Sequence, residues 1–373
     1  MSFGKDVDTS MAILRHRLGL TWRPSEWVKI SAMAQDCRVP LYGRPAPGSL
    51  RDPLDLAEGY AEISDPSGSG MALSAGRRRI NYGDARLIGS PEWANTTRTW
   101  DHARLSWRTA KLNVDGLFLS PVDINVNGFN RPRLDRRVWG VYATLPSAAK
   151  RLTTEFYALR HDPGFAGNLR TNSFGARLAG KLDGGWSYGM EGVGQTGNAG
   201  TKDHRAAAWF ASLSKSLDAA GRPLKMSGES KYASGTKDPW DASRSATFDL
   251  LYGAVHDRFG HEDVLGWRNI RNIKAQADYA IHRKLTLTLM FDDSWLASPK
   301  DYLYGPTGVP IARDATGRSG RHIGQELDLF AAVNLKKVTF GAGYGRFLMG
   351  EFVKKATPGV GPNLFYIYQD IRF

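Results

Sequence analysis

Arginines and lysines recur at every second residue in several stretches of this chain, and fixed cations at that spacing can hold an anion through many charge-assisted hydrogen bonds. Arg15 and Arg17 alternate with Leu14, His16, Leu18, Leu20 and Trp22. Lys29 lies opposite Val28, Ile30, Ala32 and Ala34, while Arg104 and Arg108 alternate with Ala103, Leu105 and Trp107. The side facing away from the apolar residues is thus predicted to carry Arg15, Arg17, Lys29, Arg104, Arg108 and Arg177. Arg77 and Arg79 are candidates for the same side, although a bulge near them would reverse the parity. The same rule places Glu58, Glu62, Asp115, Glu155, Glu191, Glu229, Glu326 and Asp328 there. Basic residues fall mostly in the first half of the chain and four of these acids in the second, so a transverse field is expected if the halves face each other. The plainer alternative is a set of charges that solvate a wet interior or pair across neighbouring strands.

Other chemistries find little support. Gly192-Val-Gly194-Gln-Thr-Gly197 fits a dinucleotide fingerprint literally, but no amphipathic helix follows it, so it reads as a strand end. His256-Asp257 and His261-Glu-Asp263 lie close together in the longest loop; their spacing matches no known ligand pattern, and they read as a polar loop. Cys37 is the single cysteine, which rules out an internal disulfide framework, and without a His-containing partner motif it reads as a buried or lumenal thiol. Neither a nucleophile elbow nor a paired-His metalloprotease motif occurs. No catalytic residue, cofactor or metal ligand is therefore assigned, and an enzyme is kept only as a distant alternative.

The elements that must position these charges are strands. Period-two alternation returns in Leu112, Val114, Gly116 and Phe118, in Trp139, Val141, Ala143 and Leu145, in Leu285, Leu287, Leu289 and Phe291, and in Leu327, Leu329, Ala331 and Val333. Connections alternate in length. Short turns are expected at 23–26, 65–70, 109–110, 146–149, 182–185, 218–221, 282–283 and 336–337. Long polar loops are expected at 39–53, 83–98, 122–133, 162–168, 196–203, 233–267, 298–321 and 350–361. A membrane-spanning barrel with short turns at one rim and long loops at the other has this pattern by construction.

Composition agrees. The 373 residues are 23% charged with a mean hydropathy of −0.39, and no stretch approaches the roughly 20 apolar residues of a membrane helix. A barrel strand needs only about 9–11 residues with every second one facing lipid, which dilutes hydropathy to such values. The fold class expected is all-β, a single transmembrane antiparallel barrel over residues 1–373. About 17 strands can be counted, and bacterial barrels normally have an even number. The loop alternation makes Met11 to Trp22 run inward from outside, so a signal peptide and a first strand are expected upstream of residue 1, giving roughly 18 strands and an aqueous lumen.

The ending Phe365-Tyr-Ile-Tyr-Gln-Asp-Ile-Arg-Phe373 resembles the C-terminal assembly signal of bacterial outer-membrane barrels. Segments beginning at Gly76-Arg-Arg-Arg-Ile-Asn-Tyr, Thr247-Phe-Asp-Leu-Leu-Tyr, Gly266-Trp-Arg-Asn-Ile, Trp295-Leu-Ala-Ser and Gly324-Gln-Glu-Leu-Asp-Leu together resemble the alginate export family of outer-membrane porins. That resemblance implies an 18-stranded barrel and passage of an anionic polysaccharide through an Arg-rich lumen. The pair Arg78-Arg79 departs from the family, in which a polar-acidic pair often follows Gly-Arg. A general small-solute porin is the alternative.

A net charge of +13 bears on partners more than on fold. Arg131, Arg133, Arg136, Arg137, Arg313, Arg318 and Arg321 sit in loops, where they suit either an anionic polymer or lipopolysaccharide phosphates. The barrel-assembly machinery is expected to read the last strand. Nucleic acid is disfavoured, because the basic residues alternate with apolar ones and do not line a groove with stacking aromatics.

Overall fold

In the computed structural model, which describes residues 3, 8–42, 50–146, 151–163 and 168–373, the alternating stretches are strands. The first group is β1 (Met11–Trp22), β2 (Val28–Tyr42), β3 (Asp52–Ser64), β4 (Gly70–Arg78), β5 (Trp100–Arg108), β6 (Asn113–Asp123) and a short β7 (Arg131–Pro132). The second is β8 (Arg137–Pro146), β9 (Leu152–Asp162), β10 (Leu169–Leu182), β11 (Trp186–Ala199), β12 (Lys202–Ala219), β13 (Arg222–Ala233) and a short β14 (Arg244–Ser245). The last is β15 (Ile270–His282), β16 (Leu285–Leu296), the short β17 (Leu303–Tyr304) and β18 (Pro310–Ala312), β19 (His322–Leu335), β20 (Val338–Met349) and β21 (Asn363–Ile371). One helix, α1 (Glu351–Ala356), interrupts the final loop. No helix among the described residues is long and apolar enough to cross a membrane, a finding that does not bear on strands.

Without the two-residue pieces β7 and β14, the nineteen-stranded sheet is an antiparallel meander in which each of 17 long strands pairs with the next. Among the described residues, β1 pairs with β2 alone and β21 with β20 alone. Sixteen antiparallel steps between the 17 strands leave these outer strands pointing the same way, so they cannot pair with each other in an antiparallel ladder.

Alternation decides the faces. Leu18, Leu105, Trp107, Phe156, Phe174, Met190, Leu289, Leu327 and Leu329 are exposed on one side, and cross-strand partners such as Leu289 and Leu329 share it. Residues between them, including His102, Ser106, Glu155, Glu191, Glu326 and Asp328, are buried on the other. An apolar outer face and a polar inner one is the arrangement a barrel in lipid requires. The fingerprint-like run Gly192 to Gly197 lies within β11, and Cys37 lies in β2, fully buried, donating its Sγ–H to the Asn95 carbonyl (2.9 Å).

Short turns fall at 23–27, 65–69, 109–112, 183–185, 220–221, 283–284 and 336–337, as the sequence predicts. The turn at 146–149 lies largely outside the described residues, as do parts of the loops at 39–53 and 162–168. One expected long loop is wrong: 196–203 is a two-residue turn, with Ala199 paired to Lys202. Its glycines belong to the ladder. Gly197 has φ +152°, and a side chain there would meet the Arg170 carbonyl at 1.9 Å. Gly200, at φ +63°, makes the reversal.

A larger correction concerns loops 79–99 and 234–269. Their Ile88, Phe248, Leu251 and Leu265 are almost fully buried, together with Trp100 at the start of β5. Segments with that much apolar surface do not stay in water. They fold against the inner faces of strands from β1 to β21, so the sheet wraps around them.

The face assignment has a direct check. Leu329→Arg, near the middle of β19, should destabilise the membrane-inserted protein by about 2–4 kcal/mol, measured by denaturant titration in lipid vesicles. An unchanged unfolding midpoint would mean that the face is not in hydrocarbon.

Candidate functional site

The interior is organised by a small ladder between the two loops. Tyr252 N–H donates to the Leu87 carbonyl (2.9 Å), Gly89 N–H to the Tyr252 carbonyl (3.0 Å) and Ala254 N–H to the Ala85 carbonyl (2.8 Å). Ile88 and Tyr252 form a parallel bridge. Arg98 ties the pair further, donating to the carbonyls of Gly89 (2.8 Å) and Tyr252 (2.6 Å). Burial lowers the Arg98 guanidinium to about 10, which still leaves it charged at neutral pH.

Asp249 fastens this plug to the wall. Its carboxylate meets His161 Nδ1 of β9 (2.8 Å) and accepts from the Thr171 hydroxyl of β10 (2.9 Å). Gln195 of β11 accepts from the Asp249 amide (2.8 Å) and donates to its carbonyl (2.7 Å). Burial alone would raise this carboxyl, but the neighbouring His161 and the hydrogen bonds hold it well below the usual carboxylate range. All of these residues are buried, so the knot is dry.

Around the plug, most predicted site residues occupy the inner face, and the structure shows what each one meets. Arg17 of β1 and Arg79 both reach Glu92 of the first loop (2.7 Å each), and Arg79 also donates to Glu58 of β3 (3.0 Å). Arg15 donates to the carbonyls of Glu92 (2.8 Å) and Ala94 (2.7 Å). Arg104 pairs with Glu62 (3.3 Å), and Arg177 with Glu155. Glu191 accepts from the Tyr157 hydroxyl (2.6 Å). Lys29 sits 5.3 Å from the Tyr60 ring centre, and among the described residues neither it nor Arg108 has a carboxylate partner. On the far side, Glu326 and Asp328 accept backbone amides of the second loop, from Glu262 (2.7 Å) and His261 (3.4 Å).

Arg77 is a correction. It stands in register with Asp101 and shares the face of Leu73 and Leu105. There it binds Asp101 (2.7 Å) and the Asn130 carbonyl (3.2 Å), so it belongs to the outer face near the long-loop rim. The register runs through Gly76 without a shift, and Arg78 takes the inward place, pairing with Glu62 (3.3 Å) and lying over Tyr60.

Sequence reading also missed Glu92, Lys231, Lys274 and Asp292. Lys231 is fully buried beside Glu229 (2.8 Å) and Asn272 (3.0 Å), and Lys274 lies 3.8 Å from Asp292. Parity gives Lys231 once Glu229 is placed inside, because the two are two residues apart in β13. Glu92 carried no such signal, since it lies in a loop whose inward fold no periodicity announces. These pairs also mean that the halves of the interior do not separate by sign: cations of the first half meet acids of the same half, and Lys231 and Lys274 lie among the acids of the second.

The family model described as alginate export matches residues 42–367. The chain belongs to the alginate export family. No curated protein is significantly similar to it in sequence. Among solved structures, the family member resembles OpdQ of Pseudomonas aeruginosa, with a TM-score of 0.65 at 11% identity over 96% of this chain and 90% of that one. It also resembles OpdK of the same organism, solved with vanillate, with a TM-score of 0.62 at 10% identity over 96% and 89% of the two chains. OccAB1 of Acinetobacter baumannii gives 0.59 at 11% identity over 98% and 91%. At such identities the likeness is one of fold. Family and fold together make this member of the alginate export family a β-barrel channel of the bacterial outer membrane.

The Asp249 knot yields a test. Asp249→Ala removes the carboxylate that meets His161 and accepts from the Thr171 hydroxyl, while Gln195 keeps its bonds to the residue 249 backbone, and it should loosen the plug by about 3–5 kcal/mol, the usual effect of breaking a buried pair. Proteolysis within 247–265 and larger, noisier single-channel currents should follow. Because the folded-state carboxyl is depressed, its contribution is present above the ordinary carboxylate range and is lost only as pH falls through the lowered value. Wild-type protease protection should therefore persist at pH 4.

Proposed function

We propose that this channel passes anionic solutes, with an acidic polysaccharide such as alginate as the substrate that the family suggests. The observation that supports this most is the way certain cations are bonded. Arg15 and Arg98 direct their donors to backbone carbonyls, and Lys29 faces a ring. Among the described residues Arg108 has no carboxylate partner either. A carbonyl orients a guanidinium without cancelling its charge, so these positions keep an attraction for carboxylates that the Glu-paired Arg104 and Arg177 have partly lost. Many weak sites along rigid strands would let a polymer slide without being trapped.

A second reading, passage of small carboxylates only, is favoured by the plug, since loops 79–99 and 234–269 fill space that a polymer would need. Vanillate in OpdK is a small carboxylate bound to a protein of similar fold. Loop cations such as Arg131, Arg136 and Arg318 suit the phosphates of lipopolysaccharide, and β21 suits the barrel-assembly machinery. The free edges of β1 and β21 are where an eighteenth strand, antiparallel to both, would complete the barrel.

Two recordings in planar bilayers test the proposal. Charge reversal of Arg15 and Arg108 to Glu should move the reversal potential toward cations. The wild-type anion preference should fade as salt rises, because exposed charges are screened within about 10 Å at 0.1 M. Oligouronates should then block more strongly than neutral oligosaccharides of equal length. Equal block by both would leave only the small-solute reading, and a reversal potential indifferent to both substitutions would sink the anionic one.

A further inference from the structure

Inside the second loop, three side chains from one short stretch converge on one point. One nitrogen of His256, one of His261 and a carboxylate oxygen of Asp257 all lie within 4.8 Å of one another. His256 Nε2 is 3.4 Å from Asp257 Oδ2, and His261 Nδ1 hydrogen-bonds Asp257 Oδ1. We propose that these three side chains hold a divalent transition-metal ion of the zinc class. The proposal does not depend on what passes through the channel.

The hydrogen bonds around His256 suit a metal ligand. His256 Nδ1 is 2.8 Å from the Asp263 carboxylate, which can only accept, so this nitrogen donates outward and Nε2 is the one turned to the Asp257 oxygen, 3.4 Å away. A carboxylate on the outer nitrogen of a ligating histidine is also the usual way such a ring is oriented and made more basic.

One separation, His256 Nε2 to Asp257 Oδ2 at 3.4 Å, suits the ion class as it stands. With metal–nitrogen bonds of about 2.0–2.1 Å, neighbouring ligand atoms of a tetrahedral zinc site are separated by about 3.3 Å. Two imidazoles and one carboxylate are also the donor set of open zinc sites, and they disfavour magnesium and calcium, which prefer all-oxygen shells.

Surrounding groups hold the ligands rigid. Trp93 of the first loop stacks on His256 (4.3 Å between ring centres, 2° between planes), and His261 packs between Phe330 and Tyr366 (5.0 and 5.1 Å). Lys274 approaches the Asp257 carbonyl and opposes a cation, but it is also drawn toward Asp292 at 3.8 Å. A bound ion would clip the second loop where it meets the first loop and β21.

The test uses the full chain purified in detergent and freed of metal with a chelator. Equilibrium dialysis should show one saturable Zn2+ per chain that excess Mg2+ does not displace, and Co2+ should give the visible absorption of a four-coordinate ion. His256→Gln and His261→Gln, each checked for folding by heat-modifiable gel migration, should weaken binding at least tenfold. Asp263→Asn, which leaves the three ligands in place, should weaken it about 10–100-fold. Zn2+ should protect 247–265 from protease in wild type and not in the His variants. Absence of a one-to-one site, or one that both His variants retain undiminished, would overturn the assignment and point to others of the eight histidines.

Discussion

A backbone amide in hydrocarbon has no water to bond, and each one left unpaired carries a penalty of several kcal/mol. That constraint dictates most of what is seen in this chain. It makes every membrane segment a strand, makes each strand pair with the next, and makes the side chains alternate between lipid and interior. It also makes the outer edges of β1 and β21 the most consequential positions in the fold. Seventeen strands satisfy fifteen on both sides and leave two half-paired.

The interior obeys a different rule. Away from lipid, polar backbone can be buried wherever it finds partners, and loops 79–99 and 234–269 find them in each other. Their parallel bridge at Ile88 and Tyr252 resembles a fragment of sheet laid inside a larger one. Apolar residues of the same loops pack around it, so the plug has both a hydrogen-bonded spine and a small core. Asp249 adds anchorage to three neighbouring strands at once. A plug built this way resists piecemeal opening, because moving one loop exposes the carbonyls and amides of the other.

Much of this was legible in the sequence, and the reason lies in the period of two. Wherever one face meets lipid, the apolar set names the opposite set, and Arg104, Arg177, Glu191, Glu326 and Asp328 do lie on the face away from Leu105, Phe174, Met190, Leu327 and Leu329. At Arg77 the parity was ambiguous in the sequence; the unbroken pairing through Gly59 and Arg77 gives it the parity of Leu73 and the outer face. Loop structure was not legible. Polar composition and length suggested solvent, whereas the apolar residues at 87–88, 248–252 and 264–267 are too few and too irregular to announce burial. For the same reason the convergence of His256, Asp257 and His261 could not be read from spacing, since it depends on a loop path that no repeat encodes.

The charges follow from these two regimes. Parity fixes only which side a cation occupies, and on that ground all the inward arginines are equivalent. Packing then makes them unequal. Arg104 and Arg177 sit in ladders beside Glu62 and Glu155 and lose part of their reach to those partners. Arg15 is turned by the plug toward carbonyl oxygens and keeps its full charge, and Arg98 is held the same way inside the plug. The loops that narrow the interior are therefore also the parts that decide which of its cations remain available. A change that loosens the plug alters the width of the path and its electrostatics together, because Arg15 released from the Glu92 and Ala94 carbonyls is free to find a carboxylate, whether from the protein or from a passing solute.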